Sequence, residues 1–196
     1  MIVVDFIQSL NYFDLLVVVG LAFMFLLGFI QGTIRRLLGL IAILFSFLLA
    51  STVRDPLGTF LASHWHQFPP EYASMIGYLT VFVVGSVAFS LVIQGFYKPS
   101  PLFPNASFLD EILGGVLGVV EGLLILIAIT IILSSTFAAS PPVPKSDAEL
   151  PFLRDFWNAL STSGTYTILQ QTLIPAFFAV FGWAFSDDIR SIYPAL

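Results

Sequence analysis

The chain has 196 residues, of which 58% are hydrophobic and only 10% charged, with a mean hydropathy of +0.97. A soluble domain carries about 25% charged residues, so the chain reads as an integral membrane protein. A net charge of −5 excludes a basic nucleic-acid face and docking on anionic lipid by charge, while the lack of cysteine excludes disulfides, thiolate metal sites and cysteine nucleophiles.

The first 30 residues hold Asp5 and Asp14 but no lysine or arginine. A cleavable signal peptide starts with a positive stretch, so none is expected. Asn11 or Asp14 is placed to cap the first span. Residues 15–31 are uncharged, and Gly20, Gly28 and Gly32 share one face at steps of eight and four. Arg35 and Arg36 follow at once, then a second apolar run. The link is short enough to force a tight hairpin or a bent helix. Residues 54–72 contain three prolines, two histidines and Trp65, and are expected as a loop with a short amphipathic piece. Trp65, Tyr72 and Tyr78 are expected at one membrane boundary, since Trp and Tyr favour headgroup level. His64 and His66 alone supply too few ligands for a metal.

A third span ends at Lys98, and the prolines of residues 99–104 break the helix. The fourth run carries Asp110 and Glu111 at its head. Gly114, Gly118 and Gly122 follow at steps of four, which keeps them in one stripe flanked by Gly115 and Glu121. Small residues collect where membrane helices touch, because close backbone approach replaces the hydrophobic effect there. The Gly20–Gly28–Gly32 face is expected to answer this stripe. Glu121 sits about 15 Å along the run, near the midplane of a core about 30 Å thick. An acid there is expected to avoid lipid. Three readings stand open: a proton-, ion- or partner-coupled group, a structural hydrogen bond to Gln31 or Gln94, or a position near the cytoplasmic interface. Arg35 and Arg36 read as topology anchors, with an ion pair to Asp110 or Glu111 as the alternative.

Residues 138–151 form a proline-rich polar hinge. Residues 152–160 show an amphipathic helical pattern. Residues 166–185 are apolar but interrupted by Gln170, Gln171 and Pro175, which favours a kinked peripheral or re-entrant helix over a fifth span. The expected fold class is thus an all-α membrane protein: four transmembrane helices with an amphipathic helical C-terminal region. Its membrane domain is 1–137, with spans at about 14–32, 37–53, 74–97 and 112–137. A hinge at 138–151 and an interfacial tail at 152–196 follow. The basic residues place the N-terminus outside, with two short cytoplasmic links. Residues 28–44 and 118–134 share Gly-x-x-x-Gly with a polar residue before the second glycine, a weak internal echo.

Asp14, Gly28, Gly32, Arg35 and Arg36, followed by Asp110, Gly114, Gly118 and Gly122, resemble the CvpA (colicin V production) family of small bacterial inner-membrane proteins over about residues 12–137. Two acids depart from its pattern: Glu121 and Glu111 stand where basic residues are expected. The resemblance implies a multi-pass inner-membrane protein supporting colicin V-like toxin production or secretion and envelope maintenance. The function expected is non-enzymatic and exerted by helix-mediated assembly. The alternative is a small oligomeric channel or transporter with Glu121 in its pathway. No cofactor or metal is expected. The partners expected are the lipid bilayer, a second copy or other membrane proteins, and no nucleic acid.

Overall fold

The structure, a computed structural model, is described for residues 11–65, 69–96, 102–103, 106–138, 151–185, 189 and 193, the side chain of Gln94 apart. Asp5, His66, Lys98 and nearly all of the expected 138–151 hinge lie outside the described residues. So does most of 186–196. Helix α1 is Tyr12–Gln31, α2 is Thr33–His64, α3 is Pro70–Phe96, α4 is Ser107–Phe137 and α5 is Pro151–Ser161. A last helical run covers Gly164–Ala184. It comprises α6 (Gly164–Ile168), a π-helical turn (Leu169–Leu173), α7 (Ile174–Phe181) and a 3₁₀ turn (Gly182–Ala184).

The all-α membrane class holds, with one difference in count. Among the described residues, five helical runs are long and apolar enough to cross a membrane, against the four expected: α1, α2, α3, α4 and Gly164–Ala184. Helix α4 sits at the centre, packed on α1 and on α2, while α2 also packs along α3. The outer faces of α1 and α3 are exposed and apolar, with Leu15, Val19 and Phe23 on the first and Val84, Leu91 and Phe96 on the second. Lipid covers such faces in a membrane, and helices alone satisfy their own backbone there.

Helix α2 runs past the expected end of its span. Residues 54–64 continue the helix through Pro56 rather than forming a loop. Proline removes one helical hydrogen bond and crowds the preceding turn, but here tertiary contact outweighs that loss. Gly58 rests against Ser74, and Leu57 and Leu61 fill the space beside Gly77 of α3. At 32 residues the helix is about 48 Å long, so it projects beyond a bilayer core. Tyr72 and Tyr78, expected at a membrane boundary, are covered by protein. They are 2% and 0% exposed, and Tyr78 stacks on Phe47 at 5.9 Å. Trp65, in contrast, is 40% exposed. Phe47 also meets Phe82, Phe177 and Phe185, so one ring ties α2, α3 and the C-terminal run together.

The echo between 28–44 and 118–134 is not a structural repeat. The first stretch is broken at Gly32, where φ is +78°, whereas the second is continuous helix.

The C-terminal run is fastened at both ends. At its start, Asp14 of α1 accepts from Gly164 N at 3.1 Å, Thr165 N at 2.7 Å and Thr165 Oγ1 at 2.6 Å. It also accepts from Asn11 N at 3.0 Å. An acid at a helix start satisfies N–H groups that have no helical partner. The Asn11 amide donates to Thr162 Oγ1 and to the Ala159 carbonyl. At the other end, Ser51 Oγ donates to the Ala184 carbonyl at 3.3 Å. Asp14 and Ser51 each stand about 27 Å along their helices from the Gly32 link. The run therefore begins and ends against the bundle at similar heights. Beyond it the chain comes back to the end of α4, where Tyr193 hydrogen-bonds Ser134. Burial pushes the Tyr193 phenol up, so it stays protonated.

Asp14→Ala is expected to free the start of the C-terminal run and to cost about 1–2 kcal/mol, as loss of a helix cap does. Amide hydrogen exchange over Gly164–Ile168 should quicken while that of α4 stays unchanged. Equal protection in both proteins would remove the clasp from the account.

Candidate functional site

The polar residues singled out by sequence fall around the α1–α2 link and the middle of α4. Gly32 turns the chain with a positive φ of 78° that side chains rarely adopt. Asp110 closes on it from α4: a Cβ at Gly32 would lie 2.6 Å from Asp110 Oδ2. Thr33 Oγ1 donates to the Asp110 carbonyl at 2.8 Å, and Leu102 N donates to Asp110 Oδ1 at 3.1 Å. Asp110 thus holds the link against the start of α4. It does not pair with Arg35 or Arg36.

From this tie upward, α1 and α4 meet backbone to backbone. A Cβ at Gly28 would come within 2.1 Å of the Gly114 carbonyl oxygen, and one at Gly114 within 2.4 Å of the Gly28 oxygen. One at Gly118 would come within 2.2 Å of the Met24 oxygen. No real Cβ fits at such distances. Gly122 is less constrained, since its nearest neighbours are the Leu21 and Met24 side chains. Gly115 faces the Phe25 ring in the same way. Gly20 stands apart from the expected face, because a Cβ there would meet nothing within 4 Å. Steps of eight drift around a helix, and by Gly20 the glycine points to the lipid side.

The central feature is an ion pair. Arg36 Nη1 of α2 donates to Glu121 Oε2 of α4 at 2.6 Å, with side-chain exposures of 7% and 12%. The arginine of the expected ion pair is therefore right, but its partner is Glu121 rather than Asp110 or Glu111. The reason is reach. Helical side chains lean toward the N-terminus of their helix, so Glu121 bends back toward the link, and the long Arg36 side chain spans the remaining distance against its own lean. Glu121 is spoken for by Arg36, not by Gln31. Arg35 is partly exposed, and so is Glu111. Arg36 Nε is buried without a hydrogen-bond partner among the described residues.

Gly39 lies directly under the pair, and sequence reading passed over it. A Cβ at Gly39 would lie 3.3 Å from Glu121 Oε1, so the carboxylate passes over a bare stretch of α2. A signal was present: Gly32, Arg36 and Gly39 fall at i, i+4 and i+7, one face of a helix. Asp14 was also undervalued. Its own helix start accounts for one of the bonds it accepts, and the rest come from residues about 150 positions away. Beside the pair, Gly39, Ala42, Ser86, Ser90, Leu91 and Glu121 border a cavity of about 310 Å³ between α2, α3 and α4. His64 bonds locally, to Ser63 and to the Phe60 carbonyl.

Fold and site together define a multi-helix membrane protein with a charge pair buried in its interior. The chain belongs to the colicin V production protein family, whose pattern it matches over residues 13–174. No curated protein and no solved structure matches it. The family match covers the glycine seam and the ion pair. It also reaches beyond the expected 12–137 into α7, so α5 and most of the C-terminal run belong to the shared pattern.

Two outcomes follow from the geometry. Gly28→Ala should lower stability by about 1–3 kcal/mol, as overpacking does. Gly20→Ala should leave it within about 0.5 kcal/mol. Unfolding titrations in mixed micelles compare them, and equal losses would mean that the seam does not set the fit. Glu121→Gln should cost about 3–5 kcal/mol by stranding Arg36, whereas the double change Arg36→Met with Glu121→Leu should recover most of that. A double variant no better than the single one would show that the charges do more than neutralise each other.

Proposed function

We propose that this chain is a non-enzymatic membrane scaffold that supports production or export of a colicin V-like toxin and maintenance of the envelope. The observation that carries this reading is the family match over residues 13–174. The geometry supports it in a second way. The chemically distinctive groups are occupied in holding helices together: Asp110 on the link, Asp14 on the C-terminal run, Glu121 on Arg36.

Assembly with other copies or other membrane proteins would then use surfaces other than the Gly114–Gly118 seam, because α1 already occupies it. The orientation that suits the basic residues has the N-terminus outside and the Gly32 link in the cytoplasm. In that orientation α5 and both ends of the C-terminal run lie on the outer side, so the run would cap the bundle rather than cross.

The competing reading is a small oligomeric channel with Glu121 in its pathway. One observation favours it, the cavity that Glu121 borders. Against it, Arg36 already neutralises the carboxylate.

The test is complementation. A toxin-producing strain lacking its own colicin V production protein should regain export when given this chain, read as growth inhibition of a sensitive strain. Gly118→Ile should fail with reduced amounts of folded protein, since the seam is intramolecular. No restoration by the unaltered chain would overturn the scaffold reading. Solute flux in proteoliposomes, at rates above protein-free vesicles, would favour the channel instead. Cysteines placed at Ser63 and Trp183 should be labelled from the outer side and one at Ser107 from the cytoplasm. Labelling of Trp183→Cys from the cytoplasm would make the run a true span.

A further inference from the structure

We propose that the cavity between α2, α3 and α4 is a binding site for a small neutral amphiphile. It would enter from the bilayer and present a hydroxyl or amide group to Glu121 and Ser86. This goes beyond the scaffold reading and does not depend on it.

The volume of about 310 Å³ is at the lower end of sites that hold small molecules. Ala42, Val87 and Leu91 give it apolar walls, and Ser86, Ser90 and Glu121 give it a polar side. Two polar atoms there have hydrogen-bonding capacity left, the second lying just beneath the wall, where a rotation about its χ1 would bring it to a ligand. Arg36 takes Oε2 of Glu121, which leaves Oε1 as an acceptor. Ser86 Oγ is buried and finds no hydrogen-bond partner among the described residues. Ser46 bonds back to the Ala42 carbonyl of its own helix and Ser134 to that of Ile131, and Ser86 has no such bond. A buried hydroxyl without a partner is unfavourable. A ligand that both donates and accepts would satisfy Ser86 and Glu121 together.

Charge and access narrow the class. The site is already neutral, because Arg36 balances Glu121. A cation would gain little from a carboxylate that Arg36 already balances, an anion would meet that carboxylate directly, and either would lose its hydration among apolar walls. A neutral hydroxyl or amide meets neither objection. Val87 and Leu91 are 54% and 62% exposed, so the cavity opens on the lipid-facing side of α3. The ligand is therefore membrane-soluble and has a short apolar tail.

The test uses the full chain in phosphatidylcholine nanodiscs with a medium-chain alkanol carrying a diazirine. After photolysis, adducts are mapped by mass spectrometry. Labelling should be saturable and concentrated on Ala42, Val87 and Leu91. Octanol should compete, while octylammonium and octanoate compete roughly ten-fold more weakly. Ser86→Ala should weaken the saturable component roughly five-fold. Val87→Trp, a lipid-facing change at the mouth that leaves the fold intact, should abolish it. Three results would each overturn the proposal. The adducts spread evenly onto lipid-facing α1 positions such as Val19 and Phe23. Neither variant alters the labelling. A charged competitor outcompetes octanol.

Discussion

Arg36 and Glu121 constrain the bundle more than any other pair, because neither charge can stand alone in an apolar interior. Their attraction offsets desolvation only at close range and good geometry. A separation of 2.6 Å therefore dictates where α2 crosses α4. Several small features answer to that demand. Gly32 turns the chain so that α2 starts in place, the Thr33–Asp110 bond sets the register, and Gly39 leaves room for the carboxylate. The acid at position 121 on α4 finds its arginine partner on α2.

Once α2 is set on α4, α1 is left the opposite flank, and there a different force holds. Lipid tails are as apolar as leucine, so burial of apolar surface gives little drive for helix association in a membrane. Dispersion between closely fitted backbones takes its place. Gly28, Gly114 and Gly118 permit an approach at which any side chain would collide. The seam is used up within the monomer, and what α1 turns outward is leucine, valine and phenylalanine.

In the C-terminal part, length and hydropathy leave the placement of a segment to its tertiary contacts. Gly164–Ala184 is long and apolar enough to cross a membrane, yet Asp14 holds its start and Ser51 its finish at similar heights along the bundle. Its π-helical turn and Pro175 fall in the middle of the run, where helices bend. Phe177 and Phe185 then reach Phe47. Hydropathy records that such a segment is apolar without saying whether lipid or protein covers it.

Composition and periodicity alone determined the class: an all-helical membrane protein, the approximate places of its four main helices, and the glycines on which α4 packs. These depend on local chemistry, since chain length against bilayer thickness and spacing against helical pitch are properties of a single segment. The sequence also marked Arg36, Asp110 and Glu121 as residues that lipid would not accept. It did not decide who meets whom. Glu121 paired with Arg36 and not with Gln31, Asp14 served a helix about 150 residues away, Gly20 fell off the seam, and α2 continued through Pro56. Each of these depends on the distance between helices and on the direction in which side chains lean. Those quantities exist only once the helices are packed.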